Sequence, residues 1–134
     1  MRHTVGHVID IVPTVIELTG AQPPQKWNGV DDPPPFPGRS LVPALATDAT
    51  VPRDFLYFHH ENNHALIVRN WKLVSKRPNT NDYALYDLSL DRSERVDLAG
   101  RDPERAALLA RQWGEIEASF RTLARQGVAL RKEH

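Results

Sequence analysis

The chain contains no cysteine. That removes disulfides, thiolate metal sites and any cysteine-derived nucleophile at once, and it leaves the redox compartment open. No apolar run approaches the roughly 18 residues of a membrane span. The first twenty residues lack the basic start and apolar run of a secretory leader, because Asp10 and Pro13 interrupt them. An excess of either charge is missing as well: 17 Lys and Arg balance 17 Asp and Glu. A formal charge of zero argues against nucleic-acid or anionic-membrane binding by bulk positive charge, so neither partner is expected. What is present is 134 residues, 40% hydrophobic and 25% charged. That is enough for one globular core and too little for two ordinary domains.

Proline is the exception, with 11 residues, most of them in the first 53. Ahead of the main Pro-rich stretch, Ile9, Val12, Val15 and Ile16 have helical spacing. Asp10 is placed to accept hydrogen bonds from the first free amides, and Pro13 is tolerated in a first turn. Gly20 supplies the stop. A short helix over Ile11–Thr19 is predicted. Between 21 and 53, Pro23, Pro24, Pro33, Pro34, Pro35, Pro37, Pro43 and Pro52 remove amide donors. No regular structure is expected there beyond one turn near Leu41–Ala46. A segment this long and irregular suits a strip laid over another part of a larger protein.

Four short strand signals follow. They are Phe55–His59, Ala65–Val68, Trp71–Lys76 and Tyr83–Leu88, separated by Asn62-Asn63, Asn70 and Pro78–Asn81. Connections this short dictate an antiparallel meander, because parallel pairing needs longer crossovers. Lys72 alternates with Trp71 and Leu73 and is expected to be a solvated strand residue. Asp91 and Glu94 have the spacing of a capping box. Asp102 then caps a helix starting at Pro103. Its stripe is Leu109, Trp113, Ile116, Phe120 and Leu123, read as core, and Gly127 is the expected stop. The fold class is therefore α+β. A four-stranded antiparallel sheet packs against a long C-terminal helix, preceded by a short helix and a Pro-rich irregular segment.

Three ordered runs resemble the C-terminal portion of the sulfatase family, arylsulfatase type. The first is His7 to Gly20, with Asp10, Pro13 and Thr14 in it. The second is Pro37-Gly38-Arg39-Ser40-Leu41-Val42-Pro43-Ala44-Leu45. The third runs from Leu56-Tyr57-Phe58-His59-His60-Glu61-Asn62-Asn63-His64 through Trp71-Lys72-Leu73-Val74 and Leu85-Tyr86-Asp87-Leu88 to Leu98-Ala99. Together they cover nearly the whole chain. The resemblance implies that residues 1–53 are a trailing helix and linker of a sulfatase catalytic domain, and that 54–134 are the C-terminal subdomain. It also implies a calcium ion and a formylglycine nucleophile in the full-length family, neither of them in this chain. Ser40, Ser75, Ser89, Ser93 and Ser119 do not open the family's Cys/Ser-x-Pro-x-Arg segment. No catalytic residue, metal ligand or cofactor is assigned here, and the chain alone is expected to be inactive.

The site-like cluster is His59 to His64. By position, His60 and Asn63 match the family's His and Asn, which implies substrate-binding roles. His59, Asn62 and His64 depart from the family's Glu, Gly and Arg. A plain polar hairpin turn accounts for the same residues. A zinc set of His60, Glu61 and His64 fits by residue type, but successive strand residues point to opposite faces. The implied partner is an N-terminal sulfatase catalytic domain, or a second copy through the helix at 8–19. A sulfate ester is a substrate of the full enzyme only. A stand-alone binding protein derived from a sulfatase is the alternative.

Overall fold

A computed structural model describes residues 4–27, 30–31, 36–75 and 82–130. The loop expected at Pro78–Asn81 and the prolines Pro33, Pro34 and Pro35 lie outside the described residues. Two compact units are present. One takes in Met1–Pro52 and Gln126–His134, the other Arg53–Arg125.

In the first unit a 3-10 turn, Val8–Asp10, leads into helix α1, Ile11–Thr19. The helix ends at Gly20, whose φ of 67° is the left-handed conformation that glycine adopts without strain. A two-stranded antiparallel pair, β1 (Lys26–Trp27) and β2 (Val30–Asp31), interrupts the Pro-rich stretch. This pair was not anticipated; it fits in a segment free of proline between Pro24 and Pro33. Helix α2, Val42–Thr47, has Pro43 in its first turn, where the missing N–H costs nothing.

Asp10 does not cap α1 as expected. Its side chain makes no cap bond to the helix. It is fully buried, with Oδ2 accepting the His7 amide at 2.7 Å and Oδ1 accepting the Arg39 amide at 2.9 Å. Thr14 Oγ1 donates to the Asp10 carbonyl at 2.6 Å and accepts the Leu41 amide at 2.9 Å. A polar pair thus ties residues 39–41 to the start of the helix. Most of the predicted apolar stripe is on the outside: Ile9, Val12 and Val15 are exposed and Ile16 is half-buried, while Val8, Ile11 and Leu18 are exposed too, Leu18 at 65%. Periodicity found the helix but not the side that faces inward.

In the second unit the meander is β3 (Leu56–His60), β4 (Asn63–Val68), β5 (Trp71–Ser75) and β6 (Tyr83–Asp87), antiparallel in that order. The first turn is Glu61-Asn62 rather than Asn62-Asn63, and His60 pairs with Asn63. Glu61 and Arg69 each take a φ near 55° at the first position of a two-residue turn, a geometry that matches the twist of the strands. Register places Leu66 opposite Leu73, and Leu73 opposite Leu85. These three leucines and Leu109 form the buried core. Each contributes about 1.5–3 kcal/mol by leaving water.

Beyond β6, Asp97 Oδ1 accepts the amides of Leu85 and Ala99, and the Leu98 amide donates to the Leu85 carbonyl at 2.8 Å. The outer edge of β6 is thereby occupied by its own chain. The expected capping box at 91–94 is half present. Asp91 Oδ2 accepts the Arg95 and Val96 amides. Glu94 has a φ of 55° and does not reach back; it pairs with Lys72 Nζ at 2.6 Å. Lys72 is therefore an ion-paired residue rather than a freely solvated one.

Helix α3, Pro103–Leu130, starts as predicted, with Asp102 Oδ1 accepting the Arg105 amide at 3.1 Å. The Arg105 guanidinium lies 4.2 Å from the centre of the Trp71 ring. The helix continues past Gly127. Glycine inside a helix costs only about 1 kcal/mol, and the residues after it keep the helical course. Leu109, Trp113 and Ile116 join the core, whereas Phe120 and Leu123 are 42% and 62% exposed. The cause is length. Twenty-eight residues span about 42 Å, while five-residue strands span only about 17 Å.

Candidate functional site

The β3–β4 hairpin carries the clustered histidines, and strand alternation sorts them. Tyr57, His59, His64 and Leu66 share the face that meets α3, because His59 pairs with His64 and Tyr57 with Leu66. His60 and Asn63 belong to the opposite face, are partners across the ladder, and are exposed beside the turn. The two residues singled out for substrate contact are thus brought together. His60 and His64 are not: they lie on opposite faces, which dissolves the zinc set of His60, Glu61 and His64. Among the described residues no three His, Asp or Glu side chains come together in a way that could hold a metal ion.

The face toward α3 holds a network that the sequence reading missed. Tyr57 donates its phenol O–H to Glu117 Oε2. His59 Nδ1 lies 3.2 Å from the same oxygen, and Nε2 lies 2.7 Å from the carbonyl oxygen of Glu61 in the turn. Glu117 Oε1 also accepts from Arg121 Nε one helical turn on. His64 Nε2 meets the Tyr83 hydroxyl at 3.1 Å and stacks on Trp113, with ring centres 4.1 Å apart. Trp113 stacks on Tyr57 from its other neighbour position, at 5.6 Å. The only signal available beforehand was the i, i+4 pair Glu117 and Arg121 on a helix whose stripe holds Trp113 and Phe120.

Electrostatics follow from this packing. Burial lowers the proton affinity of His64, and the nearby His59 lowers it further. Burial pushes the Glu117 carboxyl up, but the hydrogen bonds from Tyr57, Arg121 and His59 outweigh it and hold the group below the usual carboxylate range. Burial and then the bond to Glu117 push the Tyr57 phenol far above its ordinary value. Tyr83 is raised by burial.

A calcium ion and a formylglycine, which the resemblance implies for the full-length family, do not fit the described residues. The chain has no cysteine, and the described carboxylates and imidazoles do not converge.

No protein-family model matches the chain, and no curated protein matches it. Solved structures do. One is a protein from work on glycosaminoglycan metabolism by Bacteroides thetaiotaomicron, BT33336S-sulf, with 21% identity and a TM-score of 0.58 over 81% of this chain. Another is BT4656, solved with its substrate D-glucosamine-2-N,6-O-disulfate, with 18% identity and a TM-score of 0.60 over 84% of this chain. Ps i-CgsB gives 17% identity and a TM-score of 0.60 over 85% of this chain. In each case the chain spans only 24% of the length of the solved protein. The described residues carry the fold of the C-terminal portion of a sulfatase.

Proposed function

We propose that this chain serves as the C-terminal subdomain of an arylsulfatase-like sulfuric ester hydrolase. It lacks the formylglycine and the metal site and contributes a pocket-lining hairpin and a structural cover. Catalysis would then reside on an N-terminal sulfatase catalytic domain, which would hold the calcium and formylglycine expected in the full-length family. The observation that carries the reading is the outward apolar side of α1. Val8, Ile11, Val12, Val15 and Leu18 are exposed together on a helix whose polar side is tied down by Asp10 and Thr14. A contiguous apolar surface of this kind marks a contact with another folded body. The fold likeness to sulfatases supports a catalytic domain as that body.

On this reading His60 and Asn63 form a polar wall, with an imidazole and a carboxamide offering hydrogen bonds to the organic part of a sulfate ester. Two of the similar structures concern sulfated amino sugars or glycosaminoglycans, which makes sulfated glycans the first substrate class to test.

The coding DNA ahead of Met1 is the direct test. The expected result is an in-frame sulfatase catalytic sequence with a Cys/Ser-x-Pro-x-Arg segment. The purified chain is expected not to turn over a chromogenic aryl sulfate. Chelator-sensitive turnover by the chain alone overturns the inactive assignment. A coding region without any upstream sulfatase sequence favours a stand-alone binding protein instead.

A further inference from the structure

The His59 ring spans two elements that are otherwise separate in sequence. On one side Nδ1 faces the Glu117 carboxylate on α3; on the other Nε2 faces the backbone carbonyl of Glu61, the turn residue held at a φ of 54°. A carbonyl and a carboxylate oxygen are both acceptors only. The Tyr57 hydroxyl, 3.2 Å from Nδ1, already donates its proton to Glu117. A neutral imidazole has one N–H and satisfies one of the two sides. An imidazolium has two and satisfies both. The His59 side chain is 27% exposed and that of Glu117 15%.

We propose that His59 is a positioning residue that clamps the tip of the β3–β4 hairpin to α3 in its protonated form and releases one side when it loses the proton. The geometry makes the clamp a single-proton device. His64, the other imidazole on this face, is stacked on Trp113 and bonded to Tyr83. Burial and the neighbouring His59 both lower its proton affinity. The groups that face His59 are Tyr57 from β3, His64 from β4 with Tyr83 of β6 behind it, and Glu117 with its partner Arg121 from α3. Tyr57 and Tyr83 hold their protons at neutral pH, Glu117 is ionised and Arg121 is charged.

The clamp acts on backbone that positions His60 and Asn63, which flank the Glu61-Asn62 turn. Its effect on a substrate rests on the reading of that hairpin as a pocket wall. The clamp itself does not, and it is tested without any ligand. In the full chain, the Glu61 carbonyl carbon and the Asn62 amide are followed by NMR between about pH 5 and 8, alongside the ring nitrogens of His59. The expected result is that both His59 nitrogens carry protons at the acid end. The Glu61 and Asn62 signals then move with the same midpoint as the His59 ring. Solvent exchange at the turn amides, corrected for intrinsic rate, rises about tenfold across that midpoint, as loss of one charge-assisted hydrogen bond allows. His59→Gln, which cannot titrate, is expected to flatten the response, and Glu117→Gln to shrink it. A Glu61 carbonyl that ignores the His59 titration in the wild-type chain overturns the proposal, whether or not the variants fold. Absence of sulfatase sequence upstream leaves it intact.

Discussion

Gly38 lies so close to Ile9 that a Cβ built on it would sit 2.0 Å from the Ile9 carbonyl oxygen and 2.9 Å from the Asp10 nitrogen. Both contacts are with backbone, which cannot rotate away. Only glycine lets residues 38–41 approach the start of α1 closely enough for Asp10 and Thr14 to bind the Arg39 and Leu41 amides. Gly38→Ala is therefore expected to push the two segments apart and break those bonds. A loss of about 2–4 kcal/mol is expected, measured by denaturant unfolding together with faster amide exchange at Arg39 and Leu41.

The Asp10 carboxylate is the harder of the two ties to replace. Asp10→Ala leaves the amides of His7 and Arg39 without their acceptor inside a packed site, at about 1–3 kcal/mol for each unsatisfied group. Thr14→Val keeps the shape but loses the acceptor for the Leu41 amide, at about 1–2 kcal/mol. The two changes act on one network, so the double variant is expected to lose less than the sum of the single losses. A double-mutant cycle on unfolding free energies checks this.

Much of the second unit is legible from residue pattern. Alternation and short turns specify four antiparallel strands, and Asp102-Pro103 specifies the start of α3. Two kinds of fact were out of reach. The first is which face of an element is covered. The stripe of α1 is as regular as that of α3, yet the polar Asp10 and Thr14 are buried while Ile9, Val12 and Val15 are exposed. A periodic pattern records that a face is apolar, not that its cover lies within the same chain. The second is long-range polar pairing. Glu94 answers to Lys72, Asp97 to the Leu85 amide, and Glu117 to Tyr57 and His59. Each pair is set by tertiary register, and local spacing gave Glu94 a different partner. At the hairpin, the order of residues placed His60 and Asn63 beside one turn. The network behind them needed the strand register, which a one-residue shift of the turn determines.

The apolar stripe of α3 separates into a covered half and an uncovered half, and mutation reads the boundary. Leu73→Ala, in the leucine ladder beneath Leu109, removes a side chain that is 1% exposed and is expected to cost about 2–5 kcal/mol. Leu123→Ala belongs to the same helical stripe as Leu109 but is mostly exposed, and is expected to stay within about 0.5 kcal/mol. Equal losses at the two positions, measured by denaturant unfolding of the full chain, show that Leu123 has a cover that its exposure does not indicate.

Acid is expected to lower folding stability through His64 and Glu117 in two stages with the same sign. His64 has a lowered proton affinity in the folded chain because it is buried and lies beside His59. The unfolded chain therefore binds its proton first, so stability rises with pH across that interval. The His64 contribution is complete above its unfolded value of about 6.5 and disappears as pH falls through the lower folded value. The Glu117 carboxyl, held down by Tyr57, Arg121 and His59 against its burial, contributes in the same direction at more acid pH. It is complete above the ordinary glutamate value and lost as the folded group takes its proton. Unfolding curves followed by tryptophan fluorescence, which Trp113 reports from within the cluster, are expected to show a stability decline beginning below neutral pH and steepening in the carboxylate range. His64→Phe keeps the stack on Trp113 and removes the titrating ring. It is expected to abolish the first stage and leave the second, and an unchanged first stage in that variant places its origin at another histidine.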